Sequence, residues 1–215
     1  MERQHVHQVY EQIATKFDHT RFSYWKAVRE FLDDLPKYSL VADIGTGNGK
    51  YLHYRKDIIV IGNDMCDSLL HIINNKNSNS NIIKANAMNL PYRQGSFDAV
   101  ISVAVFHHIA THEGRCRFIR EISNILKSNG GQCLITVWAR EQSIKPSWID
   151  LGNNDFFVPW VDTTKKETHN RYYHLFSKQE LLELFAMYKD RLIVETITYE
   201  MNNWCVKLRS NHIII

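Results

Sequence analysis

From residue 39 to residue 138 the chain repeats one pattern: a short apolar run of strand length, a turn, then apolar residues spaced every three or four positions. Strands are expected at 39–44, 58–62, 81–85, 97–106 and 133–138, with helices at 49–54, 68–74 and 113–126 between them. Strands separated by helix-length crossovers lie parallel, and such crossovers are right-handed. The pattern therefore predicts a twisted α/β sheet with helices on both faces. Two amphipathic helices precede it. One carries Val6, Val9, Tyr10, Ile13 and Phe17; the other carries Trp25, Val28, Phe31, Leu32 and Leu35 and is stopped by Pro36. After a helix at 180–188 come strands at 191–199 and 203–208. Only Glu200, Met201 and Asn202 join them, too few for a parallel crossover, so this last pair is expected to be antiparallel.

A chain of 215 residues fits a single domain, 1–215, with the two leading helices in 1–36 and an insertion at 139–176. Its 26 basic and 23 acidic side chains leave +3, too little for a protein that coats nucleic acid, so any nucleic-acid binding rests on a local site. Cys66, Cys116, Cys133 and Cys205 form no close pair and read as reduced thiols. With no apolar leader after Met1 and no run of membrane-spanning length, the expected compartment is the cytoplasm or the nucleus. The Asn-rich stretch 74–81 reads as a solvated connector. Residues 140–170 read as an irregular packed lid, because Phe156, Phe157, Val158 and Trp160 are too aromatic for a linker, with 162–170 as a mobile polar rim.

The most informative stretch is Asp43-Ile44-Gly45-Thr46-Gly47-Asn48-Gly49 at the end of the first strand. Its glycines permit a sharp turn that brings backbone against a ligand. The spacing is GxGxG, without the GxGxxG of a dinucleotide fingerprint or the GK[ST] of a phosphate loop. A carboxylate at Asp43 suits an ammonium better than a pyrophosphate. Asp64 closes the second strand twenty-one residues on, near the spacing at which an acid accepts from ribose hydroxyls, and Asn86 and Ala87 follow the third. Taken singly, each is as readily a capping or turn residue. Aligned at successive strand ends they describe a site for S-adenosylmethionine.

On these residues, the region 41–138 resembles the class I S-adenosylmethionine-dependent methyltransferases. The resemblance implies a Rossmann-like, seven-stranded, mostly parallel sheet whose last strand is antiparallel. It makes Asp43, Gly45, Gly47, Gly49, Asp64, Asn86 and Ala87 the cofactor-binding residues. Further stretches resemble one subfamily, the eukaryotic tRNA methyltransferases that esterify the carboxymethyl group of the wobble uridine. They include Tyr10-Glu11-Gln12-Ile13-Ala14, Thr20-Arg21-Phe22, Ser102-Val103-Ala104-Val105-Phe106-His107-His108, Val137-Trp138-Ala139-Arg140-Glu141-Gln142, Arg171-Tyr172-Tyr173-His174-Leu175 and Asn203-Trp204. Four positions depart from that pattern: Thr46 replaces a cysteine, Asn86 an acid, and His112 and Gly114 arginines.

The resemblance implies methyl transfer to the carboxylate of 5-carboxymethyluridine in a tRNA anticodon loop. A carboxylate is ionised at neutral pH, so orientation and water exclusion matter more than a general base. The expected substrate-site residues are Arg21 and Arg171 as carboxylate forks, Trp138, Tyr172 and Trp204 as stacking faces, and His107 and His108 as hydrogen-bond donors. No metal site is expected. The resemblance also implies a small zinc-containing activator pairing along the edge strand 81–85 through Ile82 and Ile83. Two alternatives stay open: a methyltransferase acting on a small-molecule acid or amine, and a catalytically silent binding protein of the same fold.

Overall fold

The structure, a computed structural model, describes residues 1–20, 23–162 and 166–211. A seven-stranded sheet forms its centre, in the order β3-β2-β1-β4-β5-β10-β9. The strands are β1 (Leu40–Ile44), β2 (Ile59–Asp64), β3 (Ile82–Lys84), β4 (Ala99–Val103), β5 (Gln132–Trp138), β9 (Leu192–Glu200) and β10 (Asn203–Ser210). The first five pair in parallel. β10 runs antiparallel between β5 and β9, as the short connection requires.

Helices cover both faces, and strand alternation divides the core between them. Ala42, Ile44 and Val100 pack under α4 (His112–Ile125) and α5 (Lys178–Ala186). Val41, Ala99 and Ile101 pack under α2 (Lys26–Asp33) and α3 (Asp67–Lys76). The strand order reverses between β1 and β4, and a crevice opens there beyond the strands' carboxyl ends. The first helix, α1 (Gln8–Asp18), lies across that crevice, with Ala14 and Phe17 packed on Cys66 and Leu69. Among the described residues, no helix is long and apolar enough to cross a membrane.

Three expected elements differ. Residues 49–54 form successive tight turns, with Leu52 N–H donating to Gly49 O at 3.1 Å and Tyr54 N–H to Tyr51 O at 3.2 Å. Gly49, at φ +75°, cannot lie inside a right-handed helix, and the few residues after it are too short a run to sustain one. The run 97–106 is a strand only to Val103. Ala104 adopts φ +61°, which turns the chain and places Phe106–His108 in one tight helical turn at the crevice.

The irregular lid is instead a regular three-stranded antiparallel sheet: β6 (Ile149–Gly152), β7 (Asp155–Asp162) and β8 (Glu167–His174). Asn153 and Asn154, at φ +52° and +64°, make the two-residue hairpin turn between β6 and β7. Asp162 and residues 167–170, expected in a mobile rim, belong to paired strands. Phe156, Val158, Tyr173 and Leu175 give this sheet its own apolar cluster, closed by Trp138 and Trp148.

Candidate active site

The crevice holds a cavity of about 470 Å³. Asp43, Gly45, Gly47, Asp64, Asn86 and Ala87 line one side, and His107, His108, Trp138 and Tyr173 the other. Tyr10 and Phe17 of α1 close it from above.

Asp43 is 1% exposed, and the hydrogen bond it accepts from Thr46 Oγ1 at 2.7 Å only partly offsets the loss of water. Burial therefore pushes this carboxyl up to about 7. Thr46, which replaces the expected cysteine, supplies that bond. Asp64 is fixed by two backbone donors, Gly47 N–H and Cys66 N–H, each at 2.9 Å, while burial raises its pKa. Gly45 has φ +72°, and a Cβ there would stand 2.3 Å from Val105 Cγ2. Gly49 does not line the cavity; Ile73 and Leu52 fill the space beside it. Asn86 Oδ1 accepts from Met88 N–H at 2.9 Å, so its side chain shapes the local turn while lining the cavity. At Gly114 a Cβ would meet Ile109 Cγ2 at 2.7 Å and Met88 Sδ at 3.1 Å, which leaves no room for an arginine at the start of α4.

The two histidines are held neutral. Trp138 N–H donates to His107 Nδ1 at 3.1 Å, which puts the His107 proton on Nε2, and burial drives the ring's pKa well below its ordinary value. His108 donates from Nδ1 to Tyr172 O at 2.7 Å and accepts at Nε2 from the Tyr10 hydroxyl at 3.0 Å. Burial lowers its pKa to about 3. Beside them Trp138 and Tyr173 stack with centroids 4.2 Å apart, and Trp148 continues the stack behind Trp138 at 5.3 Å.

Three expected substrate-site residues sit elsewhere. Arg171 does not line the cavity; its guanidinium lies between Trp160 and Tyr173, 5.0 and 5.1 Å from their ring centroids. Burial opposes its charge, but Tyr173 and a hydrogen bond with Tyr10 hold its pKa above the ordinary value. Tyr172 faces away, because neighbours on a strand point to opposite sides. Its hydroxyl donates to Asp155 Oδ1 at 2.6 Å, and Tyr173 takes the cavity side. Trp204 also lies off the cavity, donating to Glu141 Oε2 at 2.9 Å. Arg21 falls outside the described residues. The cavity also gathers residues that were not expected in the site, among them Asn63, Met88 and Asn203.

A family profile described as a methyltransferase domain matches residues 42–134. Among solved structures, the fold is similar to an Aquifex aeolicus SAM-dependent methyltransferase, with a TM-score of 0.63 over 93% of this chain and 97% of that one at 16% identity. It is also similar to the putative methyltransferase in complex with the Haloferax volcanii Trm112 methyltransferase activator, with a TM-score of 0.72 over 96% and 98% at 16% identity. Three curated relatives are named tRNA (carboxymethyluridine(34)-5-O)-methyltransferase. The Xenopus tropicalis protein (alkbh8) is 34% identical over 97% of this chain, which spans 41% of that protein's length. The Saccharomyces cerevisiae protein is 42% identical over 74% of this chain and 57% of its own length. The Schizosaccharomyces pombe protein is 33% identical over 98% of both. End-to-end similarity to the fission yeast protein, on a methyltransferase sheet with its cavity at the strand ends, makes this chain a member of the tRNA (carboxymethyluridine(34)-5-O)-methyltransferase family.

Proposed function

We propose that this protein transfers a methyl group from S-adenosylmethionine to the carboxylate of 5-carboxymethyluridine at the wobble position of a tRNA anticodon loop. One observation carries the reading: a single cavity joins a buried, cation-seeking carboxyl at Asp43 to an aromatic wall with a neutral hydrogen-bond donor at His107. The residues present fit the cofactor. Asp43, up to about 7 when nothing neutralises it, suits the ammonium of the methionine part. Asp64, with both oxygens already aimed by backbone N–H groups, suits the ribose hydroxyls. When bound, the cofactor supplies an electrophilic methyl on a sulfonium.

The chain's residues supply orientation. Trp138 and Tyr173 wall the part of the cavity that a base turned out of its stack would enter, and His107 offers its Nε2–H. The acceptor carboxylate needs no base, in keeping with histidines that burial keeps unprotonated. Arg171, one ring behind the cavity wall, contributes fixed positive charge toward an anionic substrate. Tyr10 and Phe17 keep water from the reacting groups.

The test is mass spectrometry of an anticodon stem-loop carrying 5-carboxymethyluridine after incubation with labelled methyl donor. A labelled methyl ester that disappears with Asp43→Ala is expected. Methylation of free carboxylic acids with the stem-loop untouched would overturn the reading.

The edge strand β3 is our proposed docking place for a zinc-containing activator protein. Ile83 is 39% exposed there, and a partner strand extending this edge would cover it. The similar Haloferax fold is in complex with a Trm112 methyltransferase activator. Ile83→Lys is expected to abolish co-purification with the activator; undiminished binding would rule out this edge.

A further inference from the structure

Asn203 opens β10 and lines the cavity, yet it is 4% exposed. Its amide orientation is set by its neighbours: Nδ2 donates to Met201 O at 2.7 Å and Glu200 O at 3.5 Å. A flipped amide would turn oxygen against those carbonyls. That leaves Oδ1 as a buried acceptor with no hydrogen-bond partner among the described residues. Such an acceptor is costly to bury unless something meets it.

Its neighbourhood points to what meets it. Asn203 lies directly across the β5–β10 ladder from Trp138. Trp138 gives its backbone N–H to His107 Nδ1, which fixes the His107 proton on Nε2. One strand pair thus brings three features to one end of the cavity: a flat indole, an N–H donor and a lone acceptor. On the reading above that a uridine enters this cavity, the geometry points to Asn203 as the residue that selects uracil over cytosine.

Uracil presents O4, an acceptor, beside N3–H, a donor. His107 Nε2–H is matched to O4 and Asn203 Oδ1 to N3–H. Cytosine reverses both groups, setting donor against donor and acceptor against acceptor. The Met201–Asn202 turn, with both residues at positive φ, holds Asn203 in place through the two Nδ2 bonds. Selectivity therefore comes from a rigid hairpin, and the methionine and ribose side of the cavity is not involved.

The experiment compares three stem-loops, with 5-carboxymethyluridine, its N3-methyl derivative or 5-carboxymethylcytidine at the wobble position. With the unaltered protein, kcat/KM is expected to fall about 10- to 100-fold for both derivatives. The cytidine substrate keeps the size of the uridine, so its loss reports hydrogen bonding. Asn203→Ala is expected to lose a similar factor on the uridine stem-loop, to treat the N3-methyl derivative nearly like it, and to keep against the cytidine only the part of the discrimination that His107 supplies. S-adenosylhomocysteine affinity should stay within about twofold. Because two arms change only the substrate, a misfolded variant cannot decide the outcome. Turnover by the unaltered protein without discrimination overturns this assignment alone. No turnover on any stem-loop, with S-adenosylhomocysteine still bound, overturns the substrate reading and this assignment with it.

Discussion

Asp43 ties ligand binding to pH. Its carboxyl sits up to about 7 because burial strips its water and Thr46 returns one hydrogen bond. A bound ammonium requires the ionised form, so affinity for S-adenosylhomocysteine is expected to rise with pH and level off above about 7, with a proton released on binding. Calorimetry in buffers of different ionisation heat reads that proton directly; a flat profile from pH 6 to 8 would refute it. Stability runs the other way. The folded pKa lies above the unfolded value, so the stability this group adds is full below pH 4 and is lost as pH rises through about 7. At pH 8, Asp43→Asn should thus raise the melting temperature of the ligand-free protein by roughly 2–6 °C while weakening binding. Residues of this type were legible in the chain. Asp43 and Asp64 stand at strand ends whose positions follow from the alternation alone. The choice between Tyr172 and Tyr173 was not. One faces each side of β8, and which side is the cavity depends on a strand pairing that the aromatic, polar run does not announce.

The helices around the cavity are capped from a distance. Trp25 and Cys66, which precede α2 and α3, give no side-chain bond to their helices. Glu200, the last residue of β9, accepts instead from Lys26 N–H and Ala27 N–H at 3.1 and 3.0 Å. Glu11 on α1 accepts from Asp67 N–H and Ser68 N–H at 2.6 and 3.0 Å. Burial works against the Glu11 charge, and the Ser68 and Asp67 bonds outweigh it, so its pKa falls below the usual range. These bonds fasten α1, the cover of the cavity, to the helix behind it, with Asp18 pairing Lys76 at the far end. Glu11→Ala is expected to cost about 1 kcal/mol of stability. It should also speed S-adenosylhomocysteine release several-fold, since α1 then lifts more easily. Stopped-flow dissociation checks this, and an unchanged rate would show that α1 does not gate the cavity. The helices themselves could be read from their apolar spacing. Their caps could not, because the partners lie 56 and about 174 residues away along the chain.

On the scale of the molecule, the parallel direction of the first five strands was readable from their alternation with long crossovers, although those from β1 to β2 and from β3 to β4 carry no α-helix, and the final hairpin declares its direction by its short turn. The second sheet was hidden. Its strands alternate imperfectly, and the Gly152-Asn153-Asn154 turn, a hairpin signal, passed as part of a loop. This sheet is joined to the main body by a polar knot that no local pattern foretells. Asp155 Oδ1 receives the Tyr172 hydroxyl and His174 Nδ1, each at 2.6 Å, and stands 3.8 Å from Arg115 of α4. His174 Nε2 meets Glu180 of α5 at 2.7 Å, and Glu180 lies 3.7 Å from Arg115. Arg115 is nearly buried, so removing a carboxylate leaves its charge poorly matched, while the partial exposure of Asp155 softens the loss. Asp155→Ala is expected to cost about 2 kcal/mol, which lowers the melting temperature by roughly 4–8 °C. The knot holds β8, and β8 holds Tyr173 and the carbonyl that orients His108. Turnover on the stem-loop should therefore fall about tenfold while S-adenosylhomocysteine affinity, set by Asp43 and Asp64 across the cavity, hardly moves. Equal losses in both would mean that the small sheet merely supports the fold. A loss confined to turnover makes it the part of the molecule that positions the RNA base.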